Sequence, residues 1–116
     1  MSFGIKEISV TEVATKRQNQ DDFILLDVRE DQELKIANLG ENVVHLPLSK
    51  LADQRLEAIP EALADKNKEV VVMCHHGGRS AQVAAFLQAS GWTNVYNMTG
   101  GIHHWSLAVD NTVSTY

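Results

Sequence analysis

Residues 69–91, EVVVMCHHGGRSAQVAAFLQASG, decide how this chain is read. They open on three consecutive β-branched residues, Val70, Val71 and Val72, the pattern of a strand buried on both faces. CHHGGRS (74–80) follows, a polar loop that contains the only cysteine. RSAQVAAFLQASG (79–91) then places Val83, Phe86, Leu87 and Ser90 at helical spacing, with Gly91 where glycine commonly ends a helix. A strand, a short glycine loop and a helix make one half of a crossover connection.

The same alternation extends in both directions. KEISV (6–10) reads as a short strand and TEVATKRQNQ (11–20) as a polar helix capped by Thr11. DFILLDV (22–28) is a continuous apolar run, DQELKIANL (31–39) a short helix, and NVVHLPL (42–48) a strand stopped by Pro47. SKLADQRLEAI (49–59) reads as a helix capped by Ser49, with Leu51, Leu56 and Ile59 near helical spacing. NVYNM (94–98) is a last strand, and GGIHHWSLAV (100–109) a short helix behind the Gly100–Gly101 turn. DNTVSTY (110–116) is expected to be a polar, loosely held tail. The prediction is one α/β domain over residues 1–116, with a mostly parallel five-stranded sheet and helices on both faces. Sites in such sheets gather at the carboxyl ends of strands, where CHHGGRS lies.

The totals narrow the function. The chain has 116 residues, 44% of them apolar, and a formal net charge of −5 with no basic block. Nucleic acid is therefore not an expected partner. MSFGIKEISVTEVATK lacks the apolar core of a signal peptide, and FILL and VVVM are too short to span a bilayer. No membrane association is expected. One cysteine cannot form an internal disulfide, so a reducing, cytoplasmic setting is the expectation.

Within the loop, N–H groups at the start of a helix and the helix dipole together make a cradle for an anion. Gly77 and Gly78 are expected to permit left-handed or close-approach backbone, Arg79 to brace the loop or supply a fixed charge, and Ser80 to cap the helix. A thiol in that cradle, Cys74, is expected to favour its thiolate and to tolerate an anionic persulfide. The pairs His75–His76 and His103–His104 raise a metal reading with Cys74. Their spacing matches no usual zinc pattern, and adjacent loop side chains are expected to point apart. No metal and no cofactor are predicted.

LLDVRE (25–30), CHHGGRSAQVAAFL (74–87) and TGGIHHW (99–105) together resemble the single-domain rhodanese family, in its order and roughly its spacing. The wording around CHHGGRSAQVAAFL and GGIHHWSLAVD is also similar to rhodanese domains of the adenylyltransferases that serve sulfur carriers. The resemblance implies a small rhodanese-like fold and a sulfurtransferase. Cys74 would take a sulfane sulfur from thiosulfate, mercaptopyruvate or a protein persulfide and pass it to a nucleophilic acceptor. Its partners would be a small-molecule sulfur donor or a protein persulfide donor or acceptor. The backbone of His75, His76, Gly77, Gly78 and Arg79 would hold the persulfide. Asp27 and Arg29 would be structural neighbours of the site, and Trp105 would pack the last helix on the sheet.

Two departures from the family pattern stand out. Asn38-Leu39-Gly40 replaces a His-Ile-x-Gly-Ala stretch, so a different local conformation is expected there. His75 follows the cysteine where relatives often carry a permanent cation, which weighs against strong thiosulfate affinity. Phosphatases and arsenate reductases of this fold have a loop one residue longer between cysteine and arginine. Only His75, His76, Gly77 and Gly78 separate Cys74 from Arg79, which favours a single sulfur over a phosphate. A non-catalytic binding or persulfide-carrier module is the remaining alternative. With no second thiol, any persulfide must leave to a partner or a small acceptor.

Overall fold

A computed structural model describes residues 4–116; the first three residues of the predicted 1–116 domain lie outside the described residues. Strands β1 (Lys6–Ile8), β2 (Ile24–Asp27), β3 (Val43–His45), β4 (Val70–Met73) and β5 (Val95–Met98) form one sheet in the order β1-β5-β4-β2-β3. Every pairing is parallel. Between them run α1 (Val10–Gln18), α2 (Asp31–Ile36), α3 (Leu48–Gln54) and α4 (Gly78–Ala89), and α5 (Gly101–Ala108) follows β5.

Alternation along the strands divides the core in two. Val70, Val72 and Cys74 face one cluster with Leu26, Leu51 from α3, and Val83 and Leu87 from α4. Val71 and Met73 face the other, with Val10 and Val13 from α1 and Ile102 and Trp105 from α5. Trp105 thus packs the last helix onto the sheet, as expected. All four residues of β4 are buried, which is why this strand reads as an unbroken β-branched run.

Helix starts differ from the sequence reading. The cap of α1 is Ser9, whose hydroxyl accepts the Glu12 N–H, so the helix begins before Thr11. In α3 the cap position is Pro47, and Ser49 instead donates its hydroxyl to Glu30 at 2.5 Å. The helix predicted over 49–59 stops at Gln54, because Arg55 takes a positive φ of 53° and a 3-10 turn over Arg55–Ala58 follows. A second such turn covers Glu61–Leu63. Leu56 consequently points outward, 54% exposed. Helix α4 closes on Ser90 and Gly91 (φ 110°), as its sequence predicts.

At Asn38-Leu39-Gly40, the Asn38 amide donates to Leu34 O and accepts the Gly40 N–H, and Arg17 caps the segment through Leu39 O and Glu41 O. Among the described residues, no helix is long and apolar enough to cross a membrane.

Candidate active site

Parallel pairing sets three polar positions side by side at the carboxyl end of the sheet. Asp27 ends β2 opposite Met73, Cys74 follows β4, and Asn97 lies on β5 beyond the pair Val71–Tyr96, opposite Val72. Cys74 is buried, with 1% of its surface exposed. Its Sγ accepts the Gly77 N–H at 3.1 Å and lies 3.3 Å from Ser80 Oγ.

That geometry depends on the loop's backbone. Gly77, at the helix cap position, has φ 111°, and a Cβ there would lie 3.4 Å from Gly100 N. Gly78 differs from the expectation: its φ is ordinary, it is the first helical residue, and a Cβ would meet nothing within 4 Å. The N–H groups of the first turn of α4 have no intrahelical acceptor, as at any helix start, so the loop is lined by free donors.

Ser80 does not cap the helix either. It lies in the third helical position, fully buried, and its hydroxyl donates to Asn97 Oδ1 at 2.5 Å. One hydroxyl proton faces two acceptors, Asn97 Oδ1 and Cys74 Sγ. With the sulfur protonated, the hydroxyl can accept from it and donate to Asn97; with the sulfur ionised, the hydroxyl can turn to it. Asn97 is itself held by donation from Nδ2 to Gly77 O (3.2 Å) and to Glu7. The sequence reading missed Asn97, although a polar residue inside the apolar stretch VYNM was a visible signal.

The other side of the loop is ionic. Arg79 forms a two-pronged pair with Glu33 of α2, at 2.6 and 2.8 Å. Glu33 Oε2 also accepts the Glu30 N–H and Oε1 accepts the Tyr116 hydroxyl, so this carboxylate is a hub. The Arg79 hydrogen bonds hold the Glu33 carboxyl down to about 2 and raise the Arg79 guanidinium above its ordinary range. The fixed charge read from the sequence therefore braces the loop through Glu33. Glu33 was missed; its place three residues into a helix opened by Glu30 was the available clue.

Asp27 and Arg29 form a buried pair beneath this cluster, with Arg29 Nη2 to Asp27 Oδ2 at 2.8 Å and Arg29 Nη2 to Ala37 O at 2.9 Å. Burial alone would lower the Arg29 pKa, but its bonds to Asp27 and Tyr116 outweigh it and the net shift is upward. His45 of β3 joins them through Nε2, which must carry the proton because it faces the Arg29 carbonyl oxygen at 2.7 Å.

The tail corrects the sequence expectation. Tyr116 stacks on the His75 ring, centroids 3.8 Å apart and planes at 5°. Its hydroxyl accepts from Arg29 Nη1 (2.9 Å) and donates to Glu33 (3.0 Å). Burial raises the Tyr116 pKa, which keeps that proton in place. Val113 also packs on the core. A polar composition hid these anchors, since their partners are distant in sequence.

His75 and His76 do not point apart. Their rings lie 4.0 Å between centroids, and His103 of α5 lies 4.8 Å from His76. Burial, and then the neighbouring His76, lower the His75 pKa. His104 is exposed on the same helix. Helix α5 grips the loop through its backbone: Ile102 N–H donates to Cys74 O (2.9 Å) and His103 N–H to His75 O (3.0 Å).

The Rhodanese-like domain family profile matches residues 9–108. A chloroplastic Rhodanese-like/PpiC domain-containing protein of Arabidopsis thaliana is 40% identical over 97% of this chain, which spans only 38% of that relative's length. The thiosulfate sulfurtransferase GlpE of Coxiella burnetii is 32% identical over 87% of this chain and 84% of its own. A solved Rhodanese-like domain protein from Staphylococcus aureus superposes with a TM-score of 0.74 at 27% identity, covering 97% of this chain and 99% of the other. A profile that spans nearly the whole chain, on a fold shared with such a structure, makes this chain a member of the rhodanese family.

Proposed function

We propose that the chain is a sulfurtransferase that works through a persulfide on Cys74. The observation that carries the reading is the sulfur itself: Cys74 Sγ accepts the Gly77 N–H inside a loop whose remaining helix-start donors are free. The thiolate attacks the transferable sulfur of a donor, and an S–S bond forms. The donor's own bond breaks with its electron pair on the leaving group: sulfite from thiosulfate, pyruvate enolate from mercaptopyruvate, or a thiolate from a protein persulfide. An acceptor nucleophile then attacks the outer sulfur, and Cys74 departs as the thiolate.

The Ser80 hydroxyl and the loop N–H groups suit both anionic states of the sulfur. Ser80, Asp27 and Arg29 hold position around the sulfur and form no bond with the donor in this scheme. Arg79 acts through the Glu33 brace, and its backbone joins those of His75, His76, Gly77 and Gly78 around the persulfide. The same brace counts against a phosphatase, whose arginine must grip phosphate oxygens. The names borne by relatives, among them a thiosulfate sulfurtransferase, support the transfer chemistry. A lone working thiol suits a reducing compartment such as the cytoplasm.

Incubation with thiosulfate or a persulfide donor followed by intact-mass measurement tests the proposal. The expected result is a gain of one sulfur atom, discharged by cyanide and absent in Cys74→Ser. Failure to gain sulfur from any donor class would leave a binding module, and ready hydrolysis of an aryl phosphate would replace the reading with phosphatase.

A further inference from the structure

His75 and His76, on the loop, and His103, on the first turn of α5, each present a ring nitrogen within 4.8 Å of the other two. Two buried nitrogens in this group, His75 Nε2 and His103 Nδ1, have no hydrogen-bond partner among the described residues. A buried polar atom without a partner is costly, so this arrangement carries an unmet demand for a ligand. Neutral imidazole supplies one lone pair to a metal ion, at about 2.0–2.1 Å for zinc. Three such bonds to one tetrahedral ion put the nitrogens roughly 3.3 Å apart, so they need to close by about 1.5 Å at most. All three side chains are at least partly exposed, and the His75 ring is held by its stack on Tyr116.

We propose that His75, His76 and His103 form a binding site for a borderline divalent transition metal of the zinc class. Three imidazoles and one open position are a donor set that zinc, copper and nickel accept, whereas magnesium and calcium prefer oxygen. The two histidine pairs are visible in the sequence, but their spacing matches no usual zinc pattern. The site arises because the Gly100–Gly101 turn seats α5 against the Cys74–His75 backbone, which brings the His103 ring to the loop. The net charge of −5 favours cation approach.

The test uses the full chain as Cys74→Ser, so that a thiolate cannot supply the binding. Isothermal titration with Zn2+ is expected to show one ion per chain at micromolar or tighter affinity. His103→Ala and His76→Ala, each added to that chain, are expected to weaken binding roughly tenfold or more, and His104→Ala to leave it unchanged. Imidazole 15N spectra keep the outcome readable if a variant unfolds: one equivalent of Zn2+ should shift His75, His76 and His103 together. Binding no tighter than that of His103→Ala, equal weakening by His104→Ala, or shifts confined to a single histidine would overturn the proposal.

Discussion

At the residue scale, two adjacent glycines that look equivalent in the sequence are not. Gly77 holds φ at 111°, where a side chain is strained, and its N–H is the donor to Cys74 Sγ. Gly78 sits in ordinary helical backbone with open space where a Cβ would go. Gly77→Ala is therefore expected to cost about 1–2 kcal/mol and to slow persulfide formation. Gly78→Ala is expected to be neutral or to stabilise by about 0.4–1 kcal/mol through the unfolded chain. Thermal unfolding of the two variants side by side checks the pair; equal losses would contradict it. The glycines were legible as a loop signal, but which one needs its conformation was not, because φ follows from where α4 begins.

Elements were legible where a single physical signal dominates. β4 and α4 emerged almost to the residue, since a strand buried on both faces and an amphipathic helix ended by glycine each leave a local pattern. The starts of α1 and α3 were misplaced because several residues nearby can cap, and only packing selects Ser9 and Pro47. Helix α5 was read as a helix, but its grip on the Cys74 loop was invisible. A Cβ on Gly101 would lie 2.5 Å from both Cys74 O and His75 O. Gly101→Ala must part α5 from the loop, and a loss of about 2–4 kcal/mol is expected, with persulfide formation falling further than in Gly78→Ala. Urea unfolding and the intact-mass assay on the same variant measure both. Unchanged stability would show that the turn yields freely.

Over the whole molecule, the site is held by a chain of charges that joins β2, α2, the loop and the tail. Asp27 binds Arg29, Arg29 and Glu33 share the Tyr116 hydroxyl, and Glu33 binds Arg79. The Glu33 carboxyl lies at about 2 against an ordinary 4.5, chiefly through its hydrogen bonds from Arg79. A lowered carboxyl pKa stabilises the fold fully above its unfolded value and loses that contribution as pH falls toward the folded one. Stability is thus expected to drop between pH about 4.5 and about 2, by on the order of 2 kcal/mol from this group once solvent screening is allowed for. Glu33→Gln should lower stability near neutrality and flatten the decline in that window. Denaturant midpoints measured across the range decide it, and parallel pH profiles for the two proteins would count against the assignment.

The sequence by itself determined the alternating α/β order, the five strands, the single thiol at a strand's carboxyl end and the short loop ending in Arg79. Each of these is written in neighbouring residues, as periodicity, β-branching or spacing. Only the tertiary structure decided what Arg79 pairs with, where Tyr116 lies, how Asn97 supports Ser80, and that three histidines converge. Those contacts join residues 17 to 87 positions apart, or elements whose relative placement comes from sheet order, and no local pattern encodes them.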